Sequence, residues 1–429
     1  MNKLLCKIPM RTGLFNFAMW ALILFACTRI AAGAATPDHV NAAFGVEIFS
    51  DENLWDDDVT SLGRRLDWPL ESQTSTDSSY RKYPGSSDRV LGCRPYSNVL
   101  YGEDGHASGI SILFANKGDA VDLLKEGASA SEVREVKSQL RDYKKSIQDD
   151  KIHLAKTLTK LFGEPVPDRF GQGRQTTELV KRWDWNGHSF LLAAPRDEYV
   201  ALRIMPVESA KAGGRTRISD AEMRSRVESR VEKRPNGDVI LKEIPMVNQG
   251  PKRYCVPATW ERVMRYMGVP ADMYVLAMAG QSGAGGGTSL EAIRDGAWQS
   301  IVAAGRSIAR EQVRIDAQSI ARYIDKGLPI IWGMSSTEEF NAVANSRQAA
   351  RAGASDPSTW KKELAEVRKS ARKFRVDKSK GHVCLIIGYN KLTGEVALSD
   401  SWGPSFAERW VTCEEAKAVS QDAFYVIQF

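Results

Sequence analysis

The chain has 429 residues, of which 43% are hydrophobic and 26% charged, with a formal net charge of +6. This is an ordinary globular composition, long enough for two or three domains that each bury a core. The charge is mild, and no Lys/Arg-dense block is interleaved with aromatics, which argues against nucleic acid as a partner and leaves only a weak attraction to anionic cell-surface material.

Residues 1–35 read as a signal peptide. Lys3, Lys7 and Arg11 form a positive end, Leu14 to Cys27 an apolar stretch broken only by Asn16, and the small residues from Ala31 to Ala35 a cleavage site. The apolar stretch is too short to span a bilayer, so the expectation is an exported protein: periplasmic, cell-surface or secreted. The run Leu24-Phe25-Ala26-Cys27 is similar to a lipoprotein signal, which would place a lipid on Cys27, although Phe25 departs from that pattern. Beyond the leader stand Cys93, Cys255, Cys384 and Cys413. An exported protein permits disulfides, and the sequence leaves pairing among Cys93, Cys384 and Cys413 open.

Residues 36–206 read as a small α+β domain. Residues 37–89 are polar and irregular, and the Ser-rich stretch from Ser72 to Ser87 reads as loop. Val90 to Ala115 has strand-like apolar runs, and Ser129 to Gly163 is charged with helical spacing, Ser131 three before Arg134 being a weak cap. Leu179 to Trp185, Asn186-Gly187 and His188 to Ala194 predict a hairpin, because Asn-Gly suits a two-residue primed turn. Tyr199 to Met205 adds a strand. Residues 207–237 read as a charged helical linker, in which Ser219 and Glu222 give a capping-box signature and the helix extends to Arg234.

The second domain, 238–429, carries the chemistry. Pro257 suits a first helical turn, Trp260, Val263, Met264 and Met267 share one helical face, and Gly268 and Pro270 stop the helix. Cys255 therefore stands at a helix N-terminus, where free N–H groups and the dipole favour the reactive thiolate. Gln249, six residues earlier, places a side-chain amide where it can donate to an oxyanion alongside the backbone N–H of Cys255. Of five histidines only His382 lies in this domain, opening the apolar run Val383 to Gly388. After a turn at Asn390 to Gly394 a second strand runs to Asp400. Folding this hairpin brings residues 400–402 opposite 382–384, so that His382 and Asp400 face the same way as direct or diagonal neighbours. A carboxylate there fixes the imidazole tautomer and stabilises imidazolium.

Together, Gln249, Cys255, a Gly-His pair opening a strand and the Asp400-Ser-Trp-Gly stretch resemble the papain-like cysteine peptidases. The Cys255-Val-Pro-Ala-Thr stretch, the Gly-rich loop ending in Thr288 and Asp as the acceptor are similar to the bacteriocin-processing (double-glycine leader) branch. The resemblance covers Asp238 to the C-terminus. It implies a papain-like fold, with a nucleophile at the start of a helix and an antiparallel sheet. It also implies a catalytic set of Cys255, His382, Asp400 and Gln249, with Trp402 shielding the His–Asp pair. The activity implied is hydrolysis of peptide or protein substrates without a cofactor. A cysteine amidase or transpeptidase on cell-wall peptides, and a catalytically silent peptide-binding module, remain alternatives. The chain departs from that branch in having no transporter segment. Residues 338–380 form a charged insertion that reads either as a cleft border or as a solvated excursion. Gly283 to Gly287 lacks the Lys-Ser/Thr ending of a phosphate loop, and Thr288 with Glu291 reads as a capping box. A zinc site from Cys255, His382, Cys384 and Cys413 lacks any Cys-x-x-Cys spacing. The N-terminal domain is either a substrate-binding module or a pro-region.

Overall fold

The computed structural model describes residues 35–121, 129–195, 197–215, 217–352, 354, 356–370, 374, 377 and 380–429. The leader, including Cys27, lies outside the described residues. Ala35–Phe429 forms one compact unit. It is a mixed α+β structure containing, among the described residues, two sheets of eight strands each.

The first sheet runs in the order Leu70–Gln73, Asp77–Lys82, Ser97–Glu103, His106–Asn116, Tyr199–Pro206, His188–Ala193, Glu178–Trp185 and Val166–Phe170, all neighbours antiparallel. The hairpin at Asn186-Gly187 forms as its turn dictates: Asn186 and Gly187 both adopt the left-handed backbone that a type I′ turn requires. His188–Ala193 and the neighbouring Tyr199–Pro206 read as largely apolar runs because both their faces are covered, whereas Glu178–Trp185 alternates buried with exposed residues. Phe190, Leu192, Val200, Leu202, Ile110 and Ile112 join one core with Tyr143, Ile147, Leu154 and Leu158 of the helix Ala130–Phe162. Leu191, Ala193, Tyr199, Ala201 and Leu113 face the other way, into a cluster shared with Val247, Tyr254, Ala258 and Tyr274 of the second sheet's region.

Several local expectations shift. The helix Ala130–Phe162 is capped by Ser129 with Glu132, not by Ser131. The Ser72 to Ser87 stretch is not a loop throughout: it contributes to the edge strand Leu70–Gln73 and to its neighbour Asp77–Lys82 in the first sheet. Its polarity is deceptive, because Glu71, Ser72, Ser79 and Arg81 are buried in a hydrogen-bonded cluster rather than solvated. In 207–237 the charged helix is Asp220–Ser229, and Val231–Lys233 is instead a strand of the second sheet. Met223 and Val227 anchor that helix in the second core, so this half of the stretch is packed and does not span open solvent.

The second sheet runs Ser307–Glu311, Ser420–Gln428, Ile330–Ser335, Gly381–Asn390, Asp238–Leu241 and Val231–Lys233, with Glu395–Ser399 and Arg409–Thr412 branching from Gly381–Asn390. The helix Cys255–Tyr266 packs Trp260, Val263 and Met264 into the core beneath it. Each such side chain, fully buried, contributes about 1.5–3 kcal/mol. The helix Leu290–Ala303 is capped by Ser289, whose Oγ accepts from the Ala292 N–H at 3.0 Å, rather than by Thr288. The Thr288 hydroxyl bonds Ser282 across the loop, and Glu291 accepts from Tyr425. The 338–380 stretch forms helices Glu338–Ala352 and Pro357–Ser370. Phe340, Ala344, Trp360 and Leu364 are buried, so it is no solvated excursion.

Candidate active site

Cys255 is the first residue of its helix, and no side chain caps that end, which leaves the early backbone N–H groups open to an anion. Two latches set the helix against the sheet. One turn beyond Cys255, the Thr259 hydroxyl donates to the Val383 carbonyl at 3.1 Å and contacts Ser401 Oγ at 3.3 Å. Arg262, one turn further, donates from Nε to the Pro245 carbonyl at 2.9 Å and from Nη2 to Ser399 Oγ at 2.5 Å. The helix is thus tied directly to the residue after His382 and to the residues flanking Asp400.

His382 stands at the start of Gly381–Asn390 and Asp400 just beyond Glu395–Ser399. Their hairpin is irregular. Asn390, Tyr389 and Gly388 pair with Glu395, Val396 and Ala397, whereas Ile386 and Leu385 pair with Leu398 and Ser399, so Ile387 is an extra, bulged residue. Beyond the bulge the register sets Asp400 opposite Cys384 and Trp402 opposite His382, making His382 and Asp400 diagonal neighbours on one face. The imidazole Nε2–H donates to Asp400 Oδ1 at 2.8 Å. That leaves Nδ1 for the thiol, with which His382 shares a hydrogen bond. Trp402 stacks on the His382 ring, with centroids 4.7 Å apart and planes inclined 30°.

The electrostatics follow from this geometry. Burial pushes the Cys255 thiol up, but the hydrogen bond and charge of His382, with backbone groups of Val383 and Val256, outweigh it and hold the thiol below its ordinary range. Burial pushes the imidazole down, and the hydrogen bonds to Asp400 and Cys255 lift it instead to about 9. Burial likewise opposes ionisation of Asp400, which His382 and Arg409 nevertheless keep below the usual carboxylate range. Among the described residues, Cys93, Cys384 and Cys413 are also free thiols. Burial raises Cys93 and Cys413 to about 12 and lifts Cys384 well above its ordinary value.

Gln249 lies in the loop before the nucleophile helix. Its backbone N–H donates to the Ser401 carbonyl at 2.8 Å, which fixes it beside the residue after Asp400. Its amide Nε2 donates to the Lys252 carbonyl at 3.3 Å, and Oε1 is buried without a partner. The Gly-rich loop borders the same segment: Gly287 N–H donates to the Arg253 carbonyl at 3.1 Å, and Gly285, Gly286 and Gly287 all have positive φ.

Sequence reasoning missed Arg409. Fully buried, it donates from Nε to Asp400 Oδ2 at 3.0 Å and from Nη2 to the same oxygen. Its Nη1 reaches Asn341 and Asn345 of the helix Glu338–Ala352 at 3.2 and 3.1 Å. The guanidinium also lies over the Trp402 ring, 5.1 Å from its centroid. The signal available was an arginine heading the apolar run Trp410-Val411, where a charge needs a buried partner. A cavity of about 390 Å³, lined by Tyr101, Phe170, Arg203, Met264 and Leu276 among others, includes none of the four predicted site residues. Among the described residues no three His, Cys, Asp or Glu side chains converge as a metal site.

Residues 241–426 match the model of the Peptidase_C39 like family. Over this segment the chain resembles the papain-like cysteine peptidases, the bacteriocin-processing branch in particular. No curated protein matches the chain.

Proposed function

We propose that the papain-like domain of residues 241–426 hydrolyses peptide bonds of peptide or protein substrates with Cys255 as nucleophile, His382 as acid and base, Asp400 as orienter and Gln249 as oxyanion donor. The observation that carries this reading is the Cys255–His382–Asp400 series, a half-buried thiol backed by a buried imidazole and carboxylate, in which the thiol is held low and the imidazole high. The ground state is then a thiolate–imidazolium pair. The thiolate attacks the substrate carbonyl carbon. The Cys255 backbone N–H and the Gln249 amide, turned from Lys252 toward the cleft, hold the oxyanion. Imidazolium gives its proton to the leaving amine; neutral imidazole then takes one from the water that attacks the acyl carbon, and breaking the C–S bond releases the acid and restores the thiolate–imidazolium pair. Trp402 keeps water from the His382–Asp400 bond. The apolar leader supports export of the enzyme.

Iodoacetamide labelling with peptide mapping tests the nucleophile. Cys255 is expected to react well before Cys93, Cys384 and Cys413, and Cys255→Ala to lose peptide hydrolysis. Earlier labelling of another cysteine, or an active Cys255→Ala, refutes the reading.

A further inference from the structure

Both ends of the loop that carries Gln249 to Cys255 are held by the first sheet's region. At the start, the Met246 N–H donates to Ser72 Oγ at 2.9 Å and the Asn248 N–H to Glu71 Oε1 at 2.7 Å. The Asn248 carbonyl accepts from the Tyr83 hydroxyl at 2.5 Å. Ser75 N–H reaches Glu243 a little earlier in the chain. Glu71 is itself fixed, by the Arg81 guanidinium at 2.5 Å and the Ser79 hydroxyl at 2.9 Å. At the far end, Tyr254, the residue before the nucleophile, is buried, and its hydroxyl meets Asn116. Gly118 has no room for a Cβ against that hydroxyl, and a Cβ on Gly250 would come within 2.7 Å of the Tyr83 ring.

The consequence falls on Gln249. Residue 248 has both backbone groups taken by the first region, whereas residue 249 donates its N–H to Ser401, beside Asp400. Gln249 is thus clamped between the two sheets, at the point where its amide must be aimed. The clamp is backed by apolar burial, since Val247, Tyr254 and Ala258 share one cluster with Leu113, Leu191, Tyr199 and Ala201. Separating the regions would expose that cluster and the Glu71–Arg81 pair, both costly.

We infer that Glu71, Ser72 and Tyr83 are positioning residues for the oxyanion loop, and that the N-terminal region is a permanent structural half of the catalytic unit rather than a removable pro-region. This rests on the assignment of Gln249 as oxyanion donor. Tyr83 is the probe of choice, because Tyr83→Phe removes the hydroxyl's bond to the Asn248 carbonyl, together with the one it shares with Tyr274, and keeps the ring against Gly250.

The test is a double-mutant cycle on the full chain with Tyr83→Phe and Gln249→Ala, reading kcat for peptide hydrolysis and the alkylation rate of Cys255 against pH. Tyr83→Phe is expected to lower kcat roughly two- to tenfold, the size of one neutral hydrogen bond. The alkylation profile should stay as in wild type, because the oxyanion forms only during acyl transfer. In the Gln249→Ala background Tyr83→Phe should have no further effect. Ser72→Ala should repeat this pattern. If the two fold-changes multiply, or if alkylation falls in step with kcat, the positioning role is overturned while the assignment of Gln249 stands. If Gln249→Ala hydrolyses as wild type does, that assignment fails and takes the inference with it.

Discussion

Two hairpins of this molecule invite comparison, because the same reasoning placed both. The pair Glu178–Trp185 and His188–Ala193 closes on Asn186-Gly187, and its register runs unbroken from Trp185–His188 to Val180–Ala193. A two-residue primed turn leaves no freedom, so a local signal fixes every cross-strand neighbour. The pair Gly381–Asn390 and Glu395–Ser399 is different. If the pairing nearest its turn simply continued, Asp400 would stand opposite Leu385 and project away from His382. The bulged Ile387 shifts the register by one residue and returns Asp400 to the face of His382. Gly388 makes the bulge possible: a Cβ there would lie 2.7 Å from the Val239 carbonyl and 3.1 Å from the Ala397 methyl. One hairpin is set by its turn and builds scaffold. The other carries a bulge beside a neighbouring strand and holds the proposed catalytic pair His382 and Asp400.

The largest effect is expected where the bulged hairpin delivers its carboxylate. Asp400→Ala should lower kcat by about 10³–10⁴-fold, the scale of losing an orienting carboxylate. Asp400→Asn can still accept from His382 and should retain more turnover. Either change strands the buried Arg409 charge and should cost about 3–5 kcal/mol in denaturant unfolding. Adding Arg409→Met to Asp400→Asn should recover stability without raising kcat above that of the single variant. Wild-type stability in Asp400→Asn would show that Arg409 does not depend on this carboxylate.

Next in size is Gly388→Ala, which alters no proposed catalytic side chain. The added methyl must displace the strand Asp238–Leu241 or undo the bulge, and kcat/KM should fall about a hundredfold, the effect of misplacing a reacting group by about 1 Å. Full activity would show that the bulge is not what holds Asp400 on its face.

The third expected outcome is a pH profile. The imidazole, raised to about 9, keeps its proton below that pH and loses it above, while the lowered thiol is already ionised there. Peptidase activity should therefore fall on an alkaline limb near pH 9, with an acid limb where the coupled pair takes up a second proton. In His382→Ala the thiol loses its cation, and alkylation of Cys255 should move toward alkaline pH. Superimposable alkylation profiles would falsify the thiol–imidazole contact.

The smallest effect belongs to the regular hairpin. Gly187→Ala meets nothing within 4 Å but must hold φ at +78°, so it should cost about 1–2 kcal/mol of stability and leave kcat unchanged. A loss of kcat as large as that of Gly388→Ala would erase the distinction between the two hairpins.

What the sequence determined by itself was local. The helix start at Cys255, the stop at Gly268 and the Asn-Gly hairpin were legible because capping, periodicity and turn chemistry act within a few residues, and the candidate set Cys255, His382, Asp400 and Gln249 was named from motif and resemblance. Tertiary structure decided what depends on partners far along the chain. Arg409 under Asp400, Asn341 and Asn345 behind Arg409, the bulge at Ile387 beside the Gly388 that packs close on Val239, and Glu71 and Tyr83 gripping Asn248 give no signal at short range. The Ser72 to Ser87 stretch was misread for the same reason. Its serines and charges look solvated until the buried partners that satisfy them are known, because a polar side chain may be buried only where another part of the fold supplies its hydrogen bonds.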